Sequence, residues 1–175
     1  TPESTYNVYV EKRSDKNVYR IANLFSEYVS SKGKTYSHPL YGSDILEEEL
    51  VTKETTWFII DLDGTYSTQK DPSYTIEPGQ VYVPINTLNF DWGYGEMMAA
   101  SIAYNLSTSA GPVMPDNPSY PLGTYDEAKK CINLGTIGLY LPANGWYISK
   151  TNSLLYLDEK LMIEDYNADY EYKMM

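Results

Sequence analysis

The sequence predicts an all-β protein with minor helix, built as an antiparallel β-sandwich or a partly open β-barrel. Tyrosine is abundant, with 19 Tyr against 3 Phe and 3 Trp, and it suits half-buried pleated surfaces where the ring packs and the hydroxyl reaches water. Ten Pro and 11 Gly supply frequent turns. Short strand-like runs lie between these turns without regular strand–helix alternation, which disfavours a parallel α/β sheet.

The length of the chain, 175 residues, fits one domain with a full core. We therefore predict a single β-rich domain over residues 1–175. The chain begins at Thr1 with no initiator Met. We expect residues 1–5 to be a linker remnant, preceded by a removed targeting segment or an upstream domain.

Alternation of apolar and polar residues predicts a hairpin at the start of the chain. Its two strands are residues 6–10 and 18–21, with turn-forming residues between them. Arg20 lies between Tyr19 and Ile21 in the second strand. Since successive side chains of a strand point to opposite faces, we expect Arg20 on the face opposite to both neighbours.

The middle of the chain predicts a helix followed by a central strand. Asp44 and Glu47 have the spacing of a capping box, which indicates one short helix over residues 44–51. Residues 55–60 are the most β-prone run of the sequence and are apolar on both faces. We therefore expect this strand to be buried on both sides. Its two faces carry Trp57 with Ile59, and Phe58 with Ile60.

The second half of the chain holds further strand-like runs and one long loop. Four prolines mark residues 107–123 as irregular. Residues 96–100 have helix propensity, but 101–106 alternate, and we interpret this whole segment as strand. Asn144-Gly145 is the strongest hairpin signal in the sequence. The remaining predicted strands are 74–76, 81–83, 131–134, 136–141, 146–148, 154–157 and 160–163.

The net charge of −11 limits the classes of partner. An acidic surface repels phosphate backbones and anionic lipid headgroups, so we expect no nucleic acid and no membrane insertion by this segment. Cys131 and His38 are the single residues of their types in the sequence. A zinc site or a His-dependent catalytic triad is therefore disfavoured, and we expect Cys131 to be a small buried apolar residue.

The run Trp57 to Thr65 ends in Asp-Leu-Asp-Gly-Thr and resembles the first motif of haloacid-dehalogenase-like phosphatases. That resemblance implies a Mg²⁺-dependent phosphatase with Asp61 as nucleophile and Asp63 as acid/base. Further members of such a site, assigned by order along the chain, are Thr108, Lys150 and Asp165. The sequence offers no amphipathic helix of ten residues or more between these motifs, which a doubly wound sheet requires.

The same two aspartates have two other interpretations. Carboxylates at alternate positions can share one ion, so Asp61 and Asp63 are candidate Ca²⁺ ligands, although the twelve-residue EF-hand pattern is missing. An ordinary Asp/Gly turn that ends the central strand is the interpretation we favour. No other cofactor is predicted.

A second resemblance spans most of the chain. The segment Val18 to Asn23 is similar to a Tyr-Arg-Ile-x-Asn segment of secreted surface lipoproteins from Bacteroidetes-type bacteria. The Tyr-Gly pair at 94–95 and the Tyr-Asp-x-x-x-Lys pattern at 125–130 extend it. The resemblance implies an extracellular, lipid-anchored, all-β domain that often follows an immunoglobulin-like domain. Proteins of that kind are associated with glycan capture or adhesion.

Exposed aromatic residues are the candidates for ligand binding, because the C–H faces of sugars pack on flat rings while Asp and Asn satisfy the hydroxyls. We predict a non-catalytic glycan-binding or adhesive module of the cell surface. One alternative is a structural or protein-interaction domain of a larger surface protein, in which the Trp rings serve packing, and the other is the phosphatase. The predicted ligand-binding residues are Asn89, Asp91, Trp92 and Tyr94, followed by Trp146 and Tyr147.

Overall fold

The structure is a computed structural model that describes residues 5–38, 51–52, 54–66, 76–91, 93–101, 122–148 and 153–158. Trp146 and Ile148 are described in their backbone alone. Within these ranges we find no helix with the length and apolar character needed to cross a bilayer. The predicted helix over 44–51 and the 107–121 part of the predicted loop fall outside the described residues, apart from Val51.

The described residues form thirteen β-strands and no complete helix, so the all-β prediction is confirmed. The strands are β1 (Val10–Lys12), β2 (Val18–Ala22), β3 (Tyr28–Val29), β4 (Thr35–Tyr36), β5 (Trp57–Asp61), β6 (Gln80–Val81), β7 (Asn86–Asp91), β8 (Glu96–Ser101), β9 (Leu122–Asp126), β10 (Cys131–Gly135), β11 (Ile137–Leu141), β12 (Gly145–Ile148) and β13 (Leu154–Tyr156).

These strands form antiparallel sheets, none of which closes into a barrel in the described part of the chain. The orders are β1-β2-β5, β13-β10-β9-β6 and β12-β11-β8-β7, with β3-β4 as a separate hairpin. The first two sheets meet through one backbone pair: the N–H groups of Asp61 and Tyr82 each donate to the other residue's carbonyl at 2.8 Å. Strand β5 therefore continues the hydrogen-bonded order from β2 towards β6.

The third sheet is attached to the first two by a mixture of backbone and side-chain hydrogen bonds. Ser101 at the end of β8 donates its N–H to the carbonyl of Val83 at 2.9 Å, and its Oγ accepts from the N–H of Val83 at 2.8 Å. The side-chain amide of Asn86 pairs with the backbone of Ile59, as a neighbouring strand would. Strand β7 is thereby held beside β5.

One apolar core collects side chains from all three sheets, which is the arrangement of a sandwich-like fold. Full burial of each large apolar side chain contributes about 1.5–3 kcal/mol relative to exposure. The residues of this core are Ile21, Phe58, Ile60, Leu62, Val81, Val83, Leu88, Phe90, Met97, Ala99, Ile132, Leu134, Ile137, Leu141 and Leu155.

The central strand β5 is buried on one face only, which corrects the prediction of burial on both sides. Phe58 and Ile60 are buried in the core, whereas Trp57 and Ile59 are half-buried. The reason is that only the small β3–β4 hairpin packs on the second face among the described residues, with Tyr28 6.1 Å from Trp57 between ring centres. This face is also covered in part by Arg20, whose guanidinium carbon lies 3.7 Å from the centre of the Trp57 ring.

Most predicted strands are found, with shifted bounds. The strand over 6–10 becomes β1, and the one expected across 96–106 covers Glu96–Ser101, where pairing with β7 and β11 overrides helix propensity. The hairpin at Asn144-Gly145 is confirmed, since Leu141 pairs with Gly145. Strand β13 pairs with β10, and the predicted partner segment 160–163 lies outside the described residues, as do 74–75 and 102–106.

Asn86 is buried, and its amide makes three hydrogen bonds, to Ile59 N–H at 3.0 Å, Ile59 carbonyl at 3.2 Å and Pro84 carbonyl at 3.0 Å. We predict that Asn86→Ala lowers the free energy of unfolding by about 1–3 kcal/mol, because these groups lose their partner away from water. The control is Thr87→Ala at the next, exposed position, with a change within about 0.5 kcal/mol. Urea unfolding checks both, and equal midpoints would contradict the role of Asn86.

Candidate functional site

The Asp61-Leu62-Asp63-Gly64 segment is a hydrogen-bonded turn at the end of β5. Asp61 is 0 % exposed. Its Oδ1 accepts from the N–H groups of Asp63, Gly64 and Thr65 at 3.0, 3.0 and 3.2 Å, and its Oδ2 accepts from Tyr66 N–H at 2.8 Å. The buried carboxylate thus satisfies four backbone donors of the turn that follows it.

Asp63 ties this turn to the first hairpin. Its Oδ2 accepts from Asn17 N–H at 2.8 Å, and its Oδ1 accepts from the backbone and hydroxyl of Thr65. Partial burial acts to raise the pKa of Asp63, but the hydrogen bonds from Thr65 and Asn17 outweigh it and hold that pKa below its ordinary value. The carboxylate is therefore the form that the fold stabilises.

The four carboxylate oxygens of Asp61 and Asp63 all accept hydrogen bonds from the protein itself. Within the described ranges, no three His, Cys, Asp or Glu side chains lie together as metal ligands would. The Ca²⁺ role of this pair stays a prediction. Thr108, Lys150 and Asp165, which the phosphatase interpretation needs, lie outside the described residues, and the described sheets are antiparallel.

We predict that Asp61→Asn lowers the free energy of unfolding by about 1–3 kcal/mol, because an amide in this pose would set a donor against the N–H of Tyr66. Asp15→Asn is the matched surface control, since Asp15 is exposed and its ion pair with Arg13 lies in solvent, where such pairs contribute little to stability. Chemical denaturation at neutral pH measures both. Equal losses for the two variants would contradict the structural role of Asp61.

Asn89, predicted as a ligand-binding residue on an exposed turn, is instead buried in β7 with 3 % of its surface exposed. It adopts a φ of 56°. Its Oδ1 accepts from Thr52 N–H at 2.7 Å, and its Nδ2 donates to the carbonyls of Thr52 and Glu54. The prediction that Asn89 is exposed is therefore wrong, because its side-chain amide hydrogen-bonds to the backbone of the segment before β5.

The predicted aromatic rim lies at one end of the β12-β11-β8-β7 sheet. Asp91 ends β7, and its Oδ1 accepts from the N–H groups of Gly93 and Gly95 at 2.7 and 3.0 Å. The carbonyl of Tyr94 accepts from Ala143 N–H at 2.8 Å, which joins this turn to the β11–β12 turn. The turn after β7 and the β11–β12 turn therefore lie next to each other.

Two tyrosines of this rim are open to solvent. Tyr94 is 44 % exposed, and Tyr147 on the edge strand β12 is 52 % exposed. The ring of Trp146 is not described, nor is any part of Trp92. The glycine at position 95 has a φ of 93°, and a Cβ there would lie 2.8 Å from the Pro142 ring, so the two turns are packed in contact.

A larger aromatic group, not predicted from the sequence, lies on the outer face of the β1-β2-β5 sheet. We call Tyr9, Tyr28, Tyr36 and Trp57 the aromatic surface. The centre of the Tyr9 ring lies 5.0 Å from that of Tyr28, 5.7 Å from that of Tyr36 and 6.5 Å from that of Trp57. These separations fall within the range of favourable aromatic pairs. All four residues are half-buried.

Strand register explains how distant residues form this surface. Ala22 pairs with Trp57 across β2 and β5, and Ala22 N–H donates to the Tyr9 carbonyl at 3.0 Å. Directly opposed residues share a face, so Tyr9, Ala22 and Trp57 form one row. The paired residues Tyr28 and Tyr36 of the β3–β4 hairpin then pack on Tyr9.

Charged groups frame the aromatic surface. Arg20 covers the Trp57 ring and pairs with Glu11 at 3.0 Å, as expected from its predicted orientation away from Tyr19 and Ile21. Lys34 Nζ lies 5.0 Å from the centre of the Tyr36 ring. Loss of hydration raises the pKa of the Tyr9 hydroxyl, and the Glu11 carboxylate adds to that rise. The hydroxyl of Tyr9 therefore stays protonated and available as a donor.

A groove of about 450 Å³ borders the aromatic surface along the outer edge of β1. This volume lies within the range of small-molecule sites. Its walls combine aromatic, aliphatic and cationic side chains. The lining residues are Asn7, Val8, Tyr9, Val10, Lys12, Tyr19, Lys34, Tyr36, Tyr156 and Leu157.

Cys131 and His38, each the single residue of its type in the sequence, have packing roles. Cys131 is buried in β10, as predicted. His38 packs against Tyr6, with ring centres 4.7 Å apart, and against Phe25 at 5.2 Å. Burial lowers the pKa of His38, because the charged imidazolium is poorly solvated there.

We predict that the His38 ring titrates below its ordinary pKa of 6.5, and that Phe25→Ala moves the value back towards 6.5. With a pKa depressed in the folded state, the stability from neutral His38 is present above about pH 6.5 and is lost as pH falls through the folded pKa. NMR titration of the ring protons measures this directly, since the chain has 1 His. A value of 6.5 or higher in the parent protein would contradict the burial.

Comparison of the chain with protein-family models, with curated proteins and with solved structures gives no match. The surfaces described above are therefore the basis on which a function is assigned.

Proposed function

We propose that this chain is a non-catalytic binding module of the cell surface whose aromatic surface binds glycans. The observation that carries the proposal is the cluster of four half-buried rings around Tyr9, framed by Arg20, Glu11 and Lys34. Flat rings accept the C–H faces of sugars, and charged side chains beside them hydrogen-bond hydroxyl groups. The resemblance to secreted surface lipoproteins supports the extracellular location.

The net charge of −11 is compatible with this ligand class. Neutral saccharides experience no long-range repulsion from an acidic protein, whereas nucleic acids and anionic membranes do. The rings need little rearrangement on binding, because Tyr9 is already in contact with its neighbours in the unliganded protein. Preorganisation reduces the entropic cost of binding.

The hydrogen bonds within the turn account for the residues of the Asp-Leu-Asp-Gly-Thr segment without a catalytic role. Asp61 is buried, and each of its oxygens accepts backbone hydrogen bonds. This supports a binding role over the phosphatase interpretation. The aromatic rim at Asp91, Tyr94 and Tyr147 is a second candidate surface, since both tyrosines are exposed.

We predict that Tyr28→Ala weakens glycan binding by about tenfold or more, since truncation of a central aromatic contact commonly costs about 2 kcal/mol and 1.4 kcal/mol is a factor of ten. The matched control is Tyr147→Ala, which removes the same ring from the rim and leaves the aromatic surface intact. A glycan array identifies the ligand, and calorimetry compares the variants.

Three outcomes separate the hypotheses. If Tyr28→Ala loses glycan binding and Tyr147→Ala keeps it, the aromatic surface is the site. If Tyr147→Ala loses glycan binding and Tyr28→Ala keeps it, the site is the rim. Absence of binding to every glycan on the array contradicts the glycan proposal and favours a structural or protein-interaction role.

A further inference from the structure

The outer edge of β1 carries backbone groups without a strand partner in the described part of the chain. Ala22 N–H donates to the Tyr9 carbonyl, and Arg13 N–H donates to the Val18 carbonyl. Residues 9, 11 and 13 therefore face β2. Val10 and Lys12 alternate with them and direct their N–H and C=O groups away from β2. Strand β1 is the terminal strand of its sheet order.

This edge opens into the groove of about 450 Å³. Val8, Val10 and Lys12 line it, so the unpaired backbone groups and an apolar wall occur at the same place. Exposed sheet edges commonly receive an added strand, in which backbone hydrogen bonds supply affinity and alternate side chains supply specificity. The groove has space beside the edge for such a strand.

The charges of the groove indicate the chemistry of its occupant. The lining holds Lys12 and Lys34 and no Asp or Glu, whereas the whole chain carries a net charge of −11. The nearby Glu11 is paired with Arg20 at 3.0 Å. A cationic groove on an acidic protein favours an acidic partner and disfavours a second copy of the same chain, since two copies repel one another.

We propose that an extended acidic peptide segment of a partner protein binds in this groove by adding as a β-strand to the outer edge of β1. Its backbone pairs with the outward N–H and C=O groups of Val10 and Lys12. Alternation places one set of its side chains against Val8 and Val10, and the other set towards Tyr36 and Lys34. The fitting sequence therefore alternates apolar and acidic residues.

This interaction is independent of glycan binding, although the groove and the aromatic surface share Tyr9 and Tyr36. The two sites are separable by mutation. Tyr28 and Trp57 belong to the aromatic surface alone, whereas Val10 and Lys12 belong to the groove alone.

The test uses a fluorescein-labelled peptide of alternating valine and glutamate, with a peptide of alternating valine and lysine as control, and fluorescence anisotropy as the readout. We expect saturable binding of the acidic peptide, weakened about tenfold by Val10→Pro, because proline removes the outward N–H while the β2 ladder uses the neighbouring residues. Lys34→Glu weakens binding as well and reduces its dependence on salt.

N-methylated peptides test the backbone contacts without altering the protein, which covers the case in which Val10→Pro does not fold. Methylation at every second residue blocks the paired N–H groups in one register and spares them in the other. We expect one methylated series to lose binding and the other to retain it. Equal binding of both series, or equal binding of the acidic and basic peptides, would overturn the proposal.

Two further results would also overturn it. One is absence of binding of the acidic peptide at millimolar concentration. The other is a protein dimer in light scattering that Val10→Pro converts to monomer, because that result assigns the β1 edge to a second copy of the chain. Retention of peptide binding by Tyr28→Ala, alongside its loss of glycan binding, distinguishes the two sites.

Discussion

The fold depends on how the second edge of β5 is satisfied. One edge pairs with β2 along the whole strand. A buried central strand also needs partners for the N–H and C=O groups on its other side, because unpaired backbone groups away from water are costly. These partners are of two kinds. The backbone of Tyr82 pairs with the backbone of Asp61, and the side-chain amide of Asn86 pairs with the backbone of Ile59.

At several points in this part of the chain, asparagine side chains make the backbone hydrogen bonds that a neighbouring strand would otherwise make. Asn89 binds both backbone groups of Thr52, and Asn23 accepts from Thr56 N–H at 2.8 Å. An asparagine amide carries the same donor and acceptor as a peptide group. It can therefore end or interrupt the hydrogen bonds between two strands without leaving a backbone N–H or C=O group unpaired. This allows β7 to cross beside β5 without full strand pairing. The outer face of the first sheet carries the aromatic surface, which includes Tyr28 and Tyr36 of the β3–β4 hairpin.

The features of the fold that depend only on residues close together in the sequence were predicted correctly. The opening hairpin, the Asn-Gly hairpin and the orientation of Arg20 follow from alternation and turn chemistry within a few residues. Residues 96–100 have helix propensity but were interpreted as strand from the alternation that follows them, and their pairing with β7 and β11 confirms the strand. The burial of Asn89 could not be predicted, because its partners lie more than thirty residues away at 52 and 54. The aromatic surface likewise unites four segments through register. The sequence contains its tyrosines but no local pattern that separates them from the other tyrosines.

The contact between Gly95 and Pro142 has a consequence for how this fold can be altered. A side chain at position 95 is disfavoured by backbone conformation and by the proline ring, and the same two turns share the hydrogen bond from Ala143 to Tyr94. The two turns are therefore coupled through their packing and through this hydrogen bond. An insertion or graft in one of them therefore requires a compensating redesign of the other.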